Sequence, residues 1–245
     1  MSRVLRDAED AFGHALMDHL EHGDGAEIIE RSDGYVDLSS AAGDYFRRSD
    51  DWSAHTREAL AGVRGRALDV GCGAGRIALH LQERGHEVVG IDISPLAIEV
   101  CRLRGVRDAR LLPIHRVSPR LGRFDTVVMM GNNFGLFANG PRARRLLRRF
   151  HRTTTRDGRI IAETLDPYRT EDVFHLAYHE QNRRRGRMPG QIRMRVRYKG
   201  YRTPWFDYLF VSEEELHGLV QGTGWCAAEI LRSEGAVYAA VLEKV

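Results

Sequence analysis

Apolar residues recur at helical spacing from the start of the chain. Val4, Leu5, Ala8, Phe12, Leu16 and Leu20 fall on one stripe, which predicts a helix over 4–20. A glycine-rich break at 23–25 follows, and IIERSDGYVDL reads as a short hairpin about Asp33-Gly34. A further helix is expected from Asp51 to Ala61. From Arg66 the period changes: ALDV (67–70) and HEVVGID (86–92) read as buried strands, and ARLLPI (109–114), FDTVVMM (124–130) and RIIAETL (159–165) as further strands. Helices are expected between them at 75–84, from Pro95 with Ser94 as N-cap, and from Pro141 to about Thr154. Asp157-Gly158 is expected to turn into the fifth strand. Strands alternating with helices imply a parallel sheet with right-handed crossovers.

The alternation lapses between Asp166 and Val211, where a helical stretch (171–184), a basic run (NRRRGR) and two alternating stretches, QIRMRVRY and WFDYLF, occur. Ser212 with Glu215 three residues on has capping-box spacing and opens another helix. WCAAEIL (225–231) and AVYAAVLE (236–243), joined at Glu234-Gly235, can only make an antiparallel pair.

Composition narrows the class. A chain of 245 residues with 42% hydrophobic and 29% charged residues can build a full α/β core. The net charge of +3 is small for a nucleic-acid binder. Lysine occurs only at Lys199 and Lys244, so the positive charge is nearly all arginine. Cys72, Cys101 and Cys226 have no metal-ligand spacing, and no metal site is expected. The charged N-terminus lacks a signal-peptide core and no apolar run reaches the length of a membrane span, so a cytoplasmic protein is expected.

The chemistry lies in ALDVGCGAGRIALHL (67–81). Gly71, Gly73 and Gly75 alternate between a strand and a helix, where backbone and nucleotide can approach closely. The dinucleotide fingerprint is G-x-G-x-x-G, whereas this loop is G-x-G-x-G with Asp69 just before it. A carboxylate there repels a pyrophosphate and attracts a cation. Asp92 ends the next strand, where a carboxylate can accept both ribose hydroxyls.

LDVGCGAGRIALHL, GIDISPLAIEV and the terminal hairpin together resemble the class I S-adenosylmethionine-dependent methyltransferases over 62–165 and 212–245. The resemblance implies a Rossmann-like α/β sheet of seven strands, order 3-2-1-4-5-7-6, with strand 7 antiparallel. It also implies S-adenosylmethionine as cofactor and S-adenosylhomocysteine as product. Asp69, Gly71, Cys72, Gly73 and Gly75 would hold the methionyl end, Asp92 the ribose, and Ile93 would pack on adenine. The acid that family members often place after strand 3 is missing here: PIHRV has His115 and Arg116 instead.

The remaining segments divide accordingly. Residues 1–61 are expected to form an N-terminal helical and hairpin cap, with Tyr45 and Phe46 near the cofactor, and 166–211 an α+β substrate-recognition insertion, or lid. MMGNNFGLF (129–137) stands where DNA and protein-amide methyltransferases resemble [DN]-P-P-[YF], but without prolines, which argues against adenine-N6 or glutamine methylation. Gly131 and Asn132 either line the pocket beside the methyl group or form a plain turn. Candidate bases are His115, Glu163, Tyr168, His175 and His179, the last two at i, i+4 on one helical face. Each histidine also reads as a packing or surface residue.

The expected function is methyl transfer to O or N of a small bacterial metabolite. A small-molecule acceptor is therefore the expected partner, with no nucleic acid, no membrane, and a homodimer left open. Two alternatives stay open: an RNA or protein methyltransferase using the basic, aromatic insertion, and a non-catalytic S-adenosylmethionine-binding protein.

Overall fold

A computed structural model of the chain describes residues 3–38 and 42–245. Its strands are β1 (Ile28–Arg31), β2 (Val36–Asp37), β3 (Ala67–Val70), β4 (Val88–Asp92), β5 (Ala109–Leu111), β6 (Phe124–Met129), β7 (Thr154–Leu165), β8 (Gln191–Tyr198), β9 (Tyr201–Arg202), β10 (Phe206–Leu209), β11 (Trp225–Arg232) and β12 (Val237–Lys244). The helices are α1 (Ala11–His22), α2 (Ala54–Ala61), α3 (Arg76–Glu83), α4 (Pro95–Leu103), α5 (Gly140–Thr153), α6 (Val173–Arg184) and α7 (Glu213–Val220). No helix among the described residues is long and apolar enough to cross a membrane.

A seven-stranded sheet runs β11-β12-β7-β6-β3-β4-β5. β3, β4 and β5 pair in parallel, as do β6 and β7, while β12 is antiparallel to both β7 and β11. In the order of the core strands this is 3-2-1-4-5-7-6, as the resemblance implied. The chain forms two compact units: Met1–Trp52, Ala67–Arg116 and Arg193–Phe206 in one; Ser53–Arg66, Val117–Ile192 and Asp207–Val245 in the other.

In the first unit the apolar strands β3 and β4 carry α3 and α4, and Leu16, Leu68, Leu81, Ile91 and Ile98 are fully buried. Ser94 caps α4, its Oγ accepting from Ala97 N at 2.9 Å. The hairpin β1–β2 forms as the sequence predicts, and β1 then pairs antiparallel with β8, Glu30 opposite Arg195. The N-terminal segment and the insertion thus share a second sheet, of order β10-β8-β1-β2 with β9 on β8. Alternation in QIRMRVRY buries Met194, Val196 and Tyr198 on one face. It fixes which face is covered and says nothing about which strand does the covering.

In the second unit α5 buries Ala143, Leu146, Leu147 and Phe150 on one stripe, leaving its arginine-rich face outside. Phe134 and Phe137 meet edge to face with centroids at 4.8 Å, and with Phe124 and Phe150 they form the largest buried side chains. α7 has the expected capping box: Glu215 N donates to Ser212 Oγ and Ser212 N to Glu215 Oε2.

Three local expectations are corrected. The helix expected over 4–20 is interrupted, with a 3-10 turn at Asp7–Glu9 and α1 beginning only at Ala11, because Asp10 takes the N-cap position. The third strand stops at Leu111, short of a 3-10 turn at Ile114–Arg116. Asp157-Gly158 is no turn: β7 runs unbroken from Thr154, and the irregularity appears as a register shift against β6 between Phe124 and Thr126.

Candidate functional site

The first unit gathers the glycine loop and its acids. After β3 the backbone enters the left-handed region at Gly71, Gly73 and Gly75, with φ of 73°, 52° and 79°. At Gly75 a Cβ would also lie 2.6 Å from Val106 Cγ2, so glycine is needed twice over. The loop is tied to the next strand by Gly71 N and Cys72 N, both donating to Ile91 O. Beneath it, Cys101 Sγ donates to Gly73 O at 3.1 Å.

Asp92 belongs to this loop as much as to its own strand. Its Oδ2 accepts from Gly73 N at 3.1 Å, and its Oδ1 accepts from Ile93 N at 2.7 Å and Ser94 N at 3.0 Å. Burial raises its pKa, against the pull of these donors. Asp69 is 2% exposed, and its Oδ2 has no hydrogen-bond partner among the described residues. Burial, and then the charge of Asp92, push its pKa up to about 7, with Arg76 opposing. A buried carboxylate oxygen left unpaired beside a glycine cradle suits a ligand that brings a cationic donor.

The N-terminal segment is fastened to this region through Asp10, which sequence reasoning missed. Its side chain is fully buried; Oδ1 accepts from Gly13 N at 3.1 Å, capping α1. Oδ2 accepts from Ser94 Oγ at 2.8 Å and Leu96 N at 3.1 Å, capping α4 as well. An aspartate before Ala11 is a visible cap signal; its second helix, 86 residues on, has no local signature. Leu5 N also donates to Ile93 O at 3.0 Å. Tyr45, in the 3-10 turn Ala42–Phe46, meets Phe12 edge to face at 4.8 Å, and the Phe12 ring would lie 3.6 Å from a Cβ at Gly73. Tyr45, Asp69, Gly71, Cys72, Gly73, Gly75, Asp92 and Ile93 therefore share one unit. His115 is in the same unit, half-buried on the 3-10 turn after β5.

The second unit holds a different polar cluster at the carboxyl ends of β6 and β7. Gly131 and Asn132 both take left-handed backbone, at φ of 69° and 62°. Asn132 N donates to Glu163 Oε1 at 3.0 Å, and Asn132 O accepts from Tyr208 OH at 2.8 Å. The Tyr208 ring lies against Gly135, where a Cβ would come within 1.9 Å of it. Glu163 is buried, and its Oε2 accepts from Thr56 Oγ1 at 3.3 Å and stands 3.5 Å from His55 Nε2. His55 and Thr56, in the first turn of α2, had no local signal marking them.

The other candidate bases are dispersed. Tyr168 OH donates to Glu215 Oε1 at 2.8 Å; burial and that carboxylate push the phenol up to about 12, so it keeps its proton at neutral pH. Its ring stands 6.3 Å from that of buried His179, and half-buried His175 contacts Thr170 Oγ1 at 3.3 Å. Two of the arginines among the aromatics are engaged within the chain. Arg195 stacks on Trp205 at 4.6 Å and forks onto Glu30, and Arg187 pairs with Asp207 at 3.1 Å.

A family model described as "Methyltransferase domain" matches residues 67–158. The chain is 32% identical over 85 residues to a ubiquinone biosynthesis O-methyltransferase of Bordetella parapertussis, covering 32% of this chain and 34% of that protein. It is 39% identical over 69 residues to a magnesium-protoporphyrin O-methyltransferase of Rhodobacter capsulatus, covering 26% of this chain and 31% of that one. The chain thus spans about a third of the length of these two curated relatives. Among solved structures, an S-adenosylmethionine-dependent methyltransferase from Bacteroides fragilis in complex with S-adenosylhomocysteine is similar over 100% of this chain and 98% of its own. The identity there is 29% and the TM-score 0.85.

Proposed function

From a chain that carries a class I S-adenosylmethionine-dependent methyltransferase domain, we propose the activity of a methyltransferase acting on O or N of a small molecule. The observation that carries the reading is the unpartnered oxygen of buried Asp69 beside the left-handed glycine loop. S-adenosylmethionine offers an ammonium and a sulfonium and no phosphate, which suits that carboxylate. Asp69 and the loop hold its methionyl end, Asp92 the ribose, Ile93 the adenine, and Tyr45 with Phe12 covers the loop. When bound, the cofactor supplies an electrophilic methyl group: its C–S bond breaks with the electron pair going to sulfur, and the acceptor's lone pair forms the new bond.

What the chain supplies is alignment of the acceptor and exclusion of water, for which intramolecular analogies give about 7–11 kcal/mol. The names of the curated relatives, both O-methyltransferases, support a small acceptor. The pairing of the arginines with Glu30 and Asp207 and their stacking on Trp205 weighs against an RNA footprint, which needs them free for phosphate. The 166–211 insertion is proposed to shape the acceptor pocket.

Calorimetry should show binding of S-adenosylmethionine and S-adenosylhomocysteine and no binding of NAD. S-adenosylhomocysteine should then be released with small acceptors and not with bulk RNA. Release with RNA alone, falling steeply with salt, would favour the nucleic-acid reading. Binding with no turnover on any acceptor would leave a non-catalytic binding protein.

Asp69 adds a pH dependence. A carboxyl whose folded pKa is raised from 3.8 to about 7 binds more protons folded than unfolded between those values, so the unliganded chain loses stability as pH rises through that window. A cationic ligand offsets the cost by favouring the ionised form. The rise in Tm caused by S-adenosylmethionine should therefore be larger at pH 8 than at pH 5.5. Asp69→Asn should raise the unliganded Tm at pH 8 and flatten the difference; an equal ligand-induced shift at both pH values in the wild-type chain would refute this.

A further inference from the structure

We propose that Arg76 binds the α-carboxylate of the cofactor's methionyl group, so that the chain selects S-adenosylmethionine against analogues lacking that carboxylate. This rests on the methyltransferase reading above and deepens it. The amino-acid end of S-adenosylmethionine is a zwitterion, with an ammonium and a carboxylate on one carbon. A site that reads it needs an anion and a cation side by side. Asp69 is the anion: it is buried, and its Oδ2 has no hydrogen-bond partner among the described residues.

Arg76 supplies the cation. It is the first residue of α3, directly after the glycine loop, and it is near enough to Asp69 for its charge to favour the ionised carboxyl. An ammonium set down on Asp69 alone would feel Arg76 as a repulsion. The carboxylate of the same ligand, placed on Arg76, turns that repulsion into a second attraction. Gly75, the N-cap of α3, brings no capping side chain, so the first turn of the helix adds its own pull on an anion.

The neighbours of Arg76 leave it able to take a ligand. Its Nη1 donates to the carbonyl oxygen of Asp44 at 3.0 Å, and its guanidinium carbon lies 5.7 Å from the centre of the Trp52 ring. The Asp44 carboxylate itself turns to Arg47, at 2.8 Å. Among the described residues no carboxylate is in salt-bridge contact with Arg76. A guanidinium carries five N–H donors in a planar fork that matches a carboxylate, so one carbonyl does not exhaust it. Arg104, the other arginine beside the loop, is committed differently: it donates to the carbonyls of Ala74 and Tyr45 and stacks on Phe46 at 4.6 Å. It fastens the cap to the loop. All of these residues belong to the unit that carries the loop.

The test is titration calorimetry on the full chain with S-adenosylmethionine and with decarboxylated S-adenosylmethionine, which keeps the ammonium and the sulfonium and lacks only the carboxylate. Wild type should prefer S-adenosylmethionine by about 10- to 100-fold, the scale of a charge-assisted hydrogen bond. Arg76→Gln should bring the two affinities level. Arg76→Lys, which keeps the charge and loses the fork, should fall between. The ratio is the readout because whatever Arg76 does for the cap, or for the ionisation of Asp69, weakens both ligands alike. An unchanged ratio in Arg76→Gln would overturn the assignment and leave the methyltransferase reading intact. Equal binding of the two ligands by wild type would overturn it as well, and binding of neither would overturn the reading beneath it. If the variants fail to fold, NMR of the wild-type chain still decides. The Nε–H signal of Arg76 should shift with S-adenosylmethionine and stay in place with the decarboxylated analogue; the same shift with both excludes the contact.

Discussion

Replacing Asp92 by alanine should weaken S-adenosylmethionine binding by about 100-fold or more while leaving the chain folded. Two charge-assisted hydrogen bonds to ribose hydroxyls, at about 1.5–3 kcal/mol each, set that scale. A further loss comes from the loop, because the same carboxylate takes the N–H groups of Gly73, Ile93 and Ser94. Without it the glycine turn loses the donor–acceptor contact that holds Gly73 over the end of β4. The effect on stability should be smaller than these lost bonds suggest. Burial and the nearby charge of Asp10 already penalise an ionised Asp92, and its removal relieves repulsion on Asp69. The pKa of Asp69 should therefore fall in the variant. Titration calorimetry decides: an affinity within threefold of wild type would remove the ribose assignment. Asp92→Asn should fall between the two, since it keeps one acceptor oxygen and loses the charge.

Asp10→Ala should act in the opposite proportion, with a large loss of stability and a secondary loss of affinity. The fully buried carboxylate satisfies donors on two helices, Gly13 N in α1 and Leu96 N in α4, together with the Ser94 hydroxyl that caps α4. Loss of one N-cap typically costs about 1 kcal/mol. Leaving the Ser94 O–H and the half-buried Leu96 N–H without an acceptor adds up to about 1–3 kcal/mol each. For a chain of this size, roughly 3 kcal/mol corresponds to a fall in Tm of about 6–12 °C. Cofactor affinity should weaken as well, because Ser94 N is one of the donors to Asp92. Asp10→Asn keeps an acceptor for α1 and should recover part of the loss. A Tm within 2 °C of wild type for Asp10→Ala would show that the two helices are held by packing alone.

Much of the architecture could be read from residues close together in sequence. The strand–glycine–helix unit at 67–81, the Ser94-Pro95 start of α4, the capping box of α7 and the hairpin at Glu234-Gly235 are all specified within a few residues. The glycine loop was legible for the same reason. What escaped depends on partners far along the chain. The cap signal of Asp10 was outweighed by an apolar stripe that looked like one helix, and its second helix lies 86 residues away. Glu163 was visible as an acid at the end of a strand, but His55 lies more than a hundred residues earlier and reads as one polar residue on an ordinary amphipathic helix. The alternation of QIRMRVRY gave a strand without naming its neighbour, so the N-terminal hairpin and the insertion looked like separate pieces until β1 was found paired with β8.

That pairing also sets an order of events in synthesis. The hairpin of Ile28–Asp37 is made before its partner strand, and Arg195, opposite Glu30, follows 165 residues later. The segments around the glycine loop can form from local contacts as soon as they are made. The second sheet cannot, because closing so long a loop must precede any ladder bond. On a ribosome the hairpin therefore waits with one edge open while the parallel core assembles behind it, and an open strand edge invites the wrong partner. The short β2, the charged tip at Asp33, and the Arg31–Asp33 pair at that tip keep the waiting edge brief and polar.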